Sequence, residues 1–570
     1  MELNIPQKPC LVQTERGFSV SYNGRFLYSK YAPSRAIEGA VQNLSILPGT
    51  LILALSPALW LGLPELLSKL SEDCFILGIE CDKSLHDFAK EQLENLKEEL
   101  KDKSCAERVS RVDLLPFEEN EYIVNILSGE KTVDSLALPH ISSFRRSIPL
   151  EMSAGTQFCK EEYQKIATLS QNTIASFWKN RITLTKLGRL YSRNLFRNIA
   201  NLPNSFDLRN LIHKINQPVF VFGAGESIEE TIANVPKEKL EKCFVVAVDA
   251  ALPALKSHGI TPDAAVAVEG QLAIEKAYIG GGAKKSLLIA DMTSRLQVTR
   301  HTDYKLSYFA SKYTDASFFK ELIKKDFFPP AIPPLGSVGL TATYIALILR
   351  KDINVPVFVS GLDFSFSLGR THTKNAPAHI ARLASANRLN PPENYAAAFK
   401  TGAKKGFGKN GIEIFTDAAL EGYAKSFADA FAGTPNLYDA GRQGIPLALQ
   451  ELPSEKLSAY LDTVKEKSKP EAFTSLKETR QSLKTFLETE ENALNRIKEL
   501  LMFGSDVASC SMSLDEELKT LIEPREYLYL HFPDGYKCKT SDLSFLKRVR
   551  GQIDFFLKDI KQGLATLPFL

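Results

Sequence analysis

Two rhythms of apolar and polar positions alternate along most of this chain. Short uninterrupted apolar runs, bounded by Gly, Pro, Asn or Ser, are followed by stretches whose apolar residues recur every three or four positions. The first kind predicts buried strands and the second amphipathic helices. Up to about residue 155 the pattern predicts strands at Phe18 to Tyr22 and Arg25 to Tyr28, across the turn dipeptide Asn23-Gly24. A strand from Thr50 to Leu55, a Leu-rich helix from Leu63 to Leu70 and a strand from Cys74 to Glu80 follow. Glu80 after its strand reads as a structural acid, with a ribose acceptor as the alternative. Lys83 to Lys103 is expected to be a helix with a solvated charged face. Residues 160 to 200 read as helical, and Arg189, Arg193 and Arg197 fall at i, i+4 and i+8 as one basic stripe. The stripe reads as the solvated side of a linker helix, an acidic partner being the alternative.

From 206 to 452 the expected strands are Val219 to Phe222, Phe244 to Val248, Ala264 to Val268, Ser286 to Ile289, Lys305 to Phe309 and Val355 to Ser360, with helices between them. Such alternation predicts a mostly parallel sheet covered on both faces. Beyond Ser454 the pattern turns to Leu, Lys and Glu at helical spacing, interrupted by an aromatic loop around Tyr527 to Tyr536. The expected architecture is therefore α/β. A smaller α/β domain (1–155) and a helical linker (156–205) lead into a central Rossmann-like domain (206–452), and an all-α C-terminal domain (453–570) follows.

Composition changes this picture little. A chain of 570 residues with 44% hydrophobic and 24% charged residues can bury several cores, and a formal charge of +3 does not favour nucleic acid as a partner. Eight scattered cysteines without a Cys-x-x-Cys pair fit a reducing, cytoplasmic setting. The start of the chain has no secretory pattern. The uncharged run Gly39 to Pro64 is divided by Pro48 and Pro57, so no membrane span is expected.

Candidate chemistry collects where the predicted central strands end, because an open parallel sheet places its ligand site at the strand C-termini. The strand from Val219 breaks into Gly223-Ala-Gly225-Glu-Ser227, where glycines permit close approach to a phosphate and a helix N-terminus attracts it. The third glycine of the dinucleotide fingerprint is missing; Ile228 lies there. Asp249 ends the next strand, where such folds put a ribose acceptor. Glu269 ends another, Gly336-Ser337 opens a helix, and Gly361-Leu-Asp363 leads into a polar loop with Gly369, Arg370, Thr371 and His372. Each has a plain reading as a turn or cap. His372 stands out as a candidate general base, since it follows a strand-terminal acid.

In this order the segments resemble the motility accessory factor (Maf) family, whose members are flagellin nonulosonic-acid glycosyltransferases. The likeness runs through Val219 to Ser227, Val246 to Leu252, Gly259 to Glu269, Gly336-Ser-Val, Gly361 to Phe364 with Thr371-His372, and Tyr438-Asp-Ala-Gly441. It also touches Asn23 to Tyr31 and Phe177-Trp178-x-Asn180, and so covers the chain to about residue 450. The resemblance implies a sialyltransferase-like central domain, a CMP-activated nonulosonic acid (pseudaminic or legionaminic) as donor, and Ser or Thr of flagellin as acceptor. By position, Gly223, Gly225, Ser227 and Asp249 would hold the nucleotide, with Glu269 beside them. Gly336, Ser337 and Asp363 would complete the donor pocket, His372 would act as base, and a divalent metal is left open. Three departures stand out: Glu226 where the family usually has proline, Glu269 for the commoner aspartate, and no glycine-rich turn after Leu55. The last is expected to make the first region a scaffold. The rivals are an ATP-dependent pyrophosphokinase-like enzyme, as in the related pterin kinases, and a non-catalytic flagellin-binding protein with a degenerate pocket.

Overall fold

Strands that are apolar on both faces need cover on both, and the chain supplies it in two units, Met1–Leu184 and Thr185–Leu570. The computed structural model describes residues 8–71, 73–100, 106–280, 282–301, 305–314, 316–391, 396–464, 479–503 and 514–567.

In the first unit β1 (Cys10–Thr14), β2 (Gly17–Tyr22) and β3 (Arg25–Phe26) form a small antiparallel sheet. The strands β4 (Thr50–Leu55), β5 (Phe75–Ile79), β6 (Val112–Leu114) and β7 (Arg146–Glu151) make a parallel sheet in the order β6-β5-β4-β7. Every residue of β4 and β5 is buried. This sheet has a switch of direction between β4 and β7, the place where such folds bind ligands, but side chains fill it. Ser56, Ala58 and Trp60 all have left-handed backbone, with φ of 49°, 36° and 55°. The Tyr28 hydroxyl seals this turn, donating to the Pro57 carbonyl (2.9 Å) and accepting from the Leu59 N–H (3.1 Å). Glu80 is wholly buried and accepts from Ser56 Oγ (2.9 Å), the Tyr163 hydroxyl and the N–H groups of Cys81 and Asp82. With its oxygens so occupied, Glu80 is a structural acid with none free for a ribose.

Among the described residues the second unit is built on nine parallel strands: β8 (Val219–Phe222), β9 (Phe244–Val248), β10 (Ala264–Ala267), β11 (Leu287–Asp291), β12 (Leu306–Ser311), β13 (Ala331–Ile332) and β14 (Val357–Ser360), then, after a hairpin of β15 (Lys404–Phe407) and β16 (Glu413–Thr416), β17 (Leu437–Asp439) and β18 (Gln450–Glu451). Their order, β13-β12-β11-β10-β9-β8-β14-β17-β18, is that of a Rossmann-like sheet extended at both edges. All six strands predicted for the central region are present, two of them with the predicted ends. The short edge strands and the hairpin carry too few apolar residues to be read from periodicity. Among the described residues no helix is long and apolar enough to cross a membrane.

The C-terminal helices fall in the same unit as this sheet. Arg480–Phe503 packs on Leu543–Thr566, which turns Phe545, Val549, Ile553, Phe556 and Ile560 inward at three- and four-residue spacing. Tyr527 lies edge-on to Phe196 and Phe556, each at 4.9 Å, and to Phe318 at 4.8 Å. Glu526 accepts from the N–H groups of Ser317 and Phe318, both at 2.7 Å, capping the helix Ser317–Ile323 from outside.

The arginine stripe of the helix Lys160–Asn201 is not a solvated face. Arg193 Nε lies 2.7 Å and Arg197 Nη2 2.9 Å from the carboxylate of Asp559, which is fully buried, and the Arg189 guanidinium lies 3.7 Å from the Phe555 ring centre. Periodicity reveals that a face exists but not what covers it; the acidic partner is this chain's own last helix.

Candidate functional site

The strand order of the parallel sheet reverses between β8 and β14, and the turns that leave these two strands are packed against each other. A Cβ on Gly223 would lie 2.1 Å from the Gly361 carbonyl oxygen, and one on Gly225 2.5 Å from the Asp363 carboxyl carbon. The backbones are joined by hydrogen bonds from Gly223 N–H to Ser360 O (2.7 Å) and from Gly225 N–H to Gly361 O (2.8 Å). The glycines thus serve a chain-to-chain approach. At the start of the helix Ser227–Asn234, the Ser227 N–H donates to Asp363 Oδ2 (2.9 Å) and the Ser227 hydroxyl to Asp363 Oδ1. Asp363 therefore occupies the helix N-terminus where a phosphate was expected. Burial pushes its carboxyl up to about 6, against the opposing effects of the Ser227 hydrogen bonds and the Lys409 charge. Behind it, Lys409 pairs with Asp439 at the end of β17, both fully buried, and donates to the Gly441 carbonyl (2.9 Å).

Glu226 turns away from the glycine turn. Its carboxylate accepts from the Ser367 N–H (2.9 Å), the Ser367 hydroxyl (2.8 Å) and Arg370 Nη2 (2.9 Å). Those partners belong to a tight turn closed from Arg370 N–H to Ser367 O, with Gly369 at φ 87°, a conformation in which glycine is unstrained. One helical turn on, Glu229 accepts from the Thr373 hydroxyl (2.6 Å) and the Lys374 N–H (2.8 Å), and the Thr373 N–H donates to Ala224 O (2.9 Å). His372 is held between these two anchors. It is half-buried, with Nδ1 3.1 Å from Thr371 Oγ1. Burial holds its imidazole below the ordinary value, with the Glu226 charge opposing.

A second group of acids lies at the ends of the next strands. Asp249 is buried after β9, accepts from the Ala250 N–H (2.6 Å), and is pushed up to about 7 by burial, with Glu269 adding to the effect. Glu269, partly exposed after β10, accepts from the Gln271 N–H (2.9 Å). Asp291, the last residue of β11, accepts from Thr293 N–H (2.6 Å) and Ser311 N–H (2.8 Å) and is wholly buried. Ser337 caps the helix Val338–Leu349 through the Gly339 N–H (3.3 Å), after Gly336 at φ 75°, and Gly339 packs on Leu362. The structure thus brings Gly223, Gly225, Ser227 and Asp363 into direct contact, with His372 on a loop pinned to the same helix. Asp249 is near enough to Glu269 to feel its charge. Among the described residues no hydrogen bond joins those two groups, and none gathers three or more His, Cys, Asp or Glu side chains able to hold a metal.

Several positioning residues escaped the sequence reading. Asn194 donates to the carbonyls of Gly270 (3.2 Å) and Thr293 (3.0 Å), and Asn198 to those of Met292 (3.0 Å) and Ser294 (2.9 Å). Buried carbonyls in irregular loops need such donors. Their i, i+4 spacing on a predicted helix was a readable signal. Lys409, from a hairpin with little periodicity, had none.

The comparisons with known proteins agree with this geometry at the level of fold. Residues 193–369 match the family described as 6-hydroxymethylpterin diphosphokinase MptE-like, a stretch that holds β8 to β14 and ends just before Arg370. The structure of the Maf glycosyltransferase from Magnetospirillum magneticum AMB-1 superposes with a TM-score of 0.52 at 14% identity, covering 99% of this chain and 92% of that one. The two share a fold, across both units and the helical C-terminal region. A protein of Treponema pallidum (strain Nichols), named "Uncharacterized protein", is 32% identical over 578 residues, 98% of this chain and 96% of its own length. With identity of that order over almost its whole length, the chain belongs to the same protein family as this Treponema protein.

Proposed function

We propose that the chain is a cytoplasmic glycosyltransferase that moves a nonulosonic acid from its CMP-linked form to Ser or Thr of flagellin. The observation that carries this reading is His372, held by anchors on both sides beside the β8/β14 switch point of a sheet that shares its fold with a Maf glycosyltransferase. The acceptor oxygen attacks the anomeric carbon, the bond from that carbon to the phosphate oxygen breaks, CMP leaves, and His372 takes the hydroxyl proton. An imidazole kept neutral by burial is suited to that task. Because Asp363 fills the helix end at Ser227, the leaving phosphate is assigned to the N-terminus of Val338–Leu349, where charge is stabilised without reorganisation. Asp249 and Glu269 are left for the nucleotide's hydroxyls. A divalent cation at this site would share Asp249 or Glu269 with ligand oxygens, a common arrangement for magnesium; among the described residues no group of three or more His, Cys, Asp or Glu side chains could hold one.

Intact-mass measurement of flagellin from cells with and without this gene tests the reading. A sugar-acid mass should vanish at each modified site, and an unchanged mass would sink it. The match of residues 193–369 to the MptE-like family supports a second reading, diphosphate transfer from ATP. Under that reading ATP with Mg²⁺, not CMP, would raise the melting temperature.

A further inference from the structure

The Glu226 carboxylate is bound in the way a ligand carboxylate is bound. Three donors converge on it from one turn: the Ser367 N–H, the Ser367 hydroxyl and the Arg370 guanidinium, all at 2.8 to 2.9 Å. Glu226 reaches them from a neighbouring element, as the residue just before the helix Ser227–Asn234, and its side chain is only 7% exposed while that of Arg370 is 37% exposed. The receptor is therefore a built site with an open side. Arginine binds carboxylates through paired N–H groups in a fixed fork, and Glu226 uses one terminal nitrogen of it. The turn sits two residues before His372, the group assigned to the acceptor's proton.

We infer that Ser367 and Arg370 form the carboxylate-binding subsite of the donor, and that Glu226 fills it as an internal stand-in until a sugar acid displaces it. The inference rests on the transferase reading and adds to it the residues that recognise the acidic group. A ligand carboxylate would inherit all three donors, and Glu226 would swing to solvent. Competition between the two sets the donor affinity, because the apparent affinity of a site filled by its own side chain is scaled down by the fraction of time the site is open. The alternative is that Glu226 only anchors the loop. The two differ in sign.

Calorimetric titration with CMP and with CMP-N-acetylneuraminate separates them. Glu226→Ala and the isosteric Glu226→Gln should bind CMP as the natural protein does, and should bind the sugar-acid nucleotide more tightly, by about tenfold, or ~1.4 kcal/mol. Arg370→Ala should weaken the sugar-acid nucleotide by a similar factor and leave CMP unchanged. If both Glu226 variants lose affinity for the sugar-acid nucleotide, or do not change it, Glu226 is an anchor and the inference is overturned. It is overturned too if Arg370→Ala binds both nucleotides normally. Failure of the natural protein to bind CMP at all would instead remove the transferase reading on which the subsite rests.

Discussion

His372 and Glu226 show how one side chain's role is set by partners far away in sequence. His372→Asn should lower sugar transfer by about 10²- to 10⁴-fold, the usual contribution of a general base, and leave CMP affinity unchanged. Transfer by the natural protein should rise with pH through a value below the ordinary imidazole range and then stay level, since burial favours the neutral, proton-accepting ring. A pH–rate profile identical in both proteins would clear the histidine of any role. The positions of Gly223, Gly225, Asp249 and Asp363 just after strands, and of His372 in the loop beyond β14, were legible because apolar runs stop at identifiable residues. What those residues touch was not. The Glu226 contact with Ser367 spans 141 positions and that of Ser227 with Asp363 spans 136, and no local pattern encodes either. A glycine-rich turn before a helix reads the same whether a phosphate or a neighbouring strand's carboxylate caps it.

At the level of elements, the helix Lys160–Asn201 carries two working faces in its last turns. One holds Asn194 and Asn198 against the loops after β10 and β11, and the other holds Arg193 and Arg197 against Asp559 of the final helix. Both were present in the sequence as i, i+4 pairs, yet periodicity alone could not distinguish a face covered by protein from one covered by water. Asp559→Ala would leave two guanidinium groups without their buried counter-ion, and losses of about 3–5 kcal/mol are usual when one partner of such a pair is removed. A chain ending near Ser454 would lose in addition the aromatic contacts of Phe196 with Tyr527 and Phe556 and of Phe318 with Tyr527. Thermal unfolding should show a lower Tm for Asp559→Ala and no cooperative transition for the shortened chain. A shortened chain that melts like the full one would make the C-terminal helices an appendage.

For the molecule as a whole, the buried acids give stability an unusual pH dependence. Glu80 and Asp249 are each pushed up to about 7 and Asp363 to about 6, burial being the main cause in all three. Unfolded, these groups titrate near 4, so between about pH 4 and 7 the folded chain binds more protons than the unfolded one. Their contribution is present in full below the unfolded value and is lost as pH rises through 6 to 7. The Tm should therefore fall from pH 5.5 to pH 8, and Asp249→Asn should flatten that fall; an equal slope in the variant would mean that Asp249 is ionised in the folded protein throughout. The mostly parallel central sheet followed from alternation of strands and helices, whereas the strand order and the allotment of the C-terminal helices to the same unit as that sheet depend on contacts that composition does not record. The carboxylate of Asp363 at the head of the helix Ser227–Asn234 also bears on inhibitor chemistry. A fragment designed around a phosphate mimic for the glycine turn would meet a negative group already seated there. An uncharged amide or a small cation placed against Asp363 is the better starting scaffold.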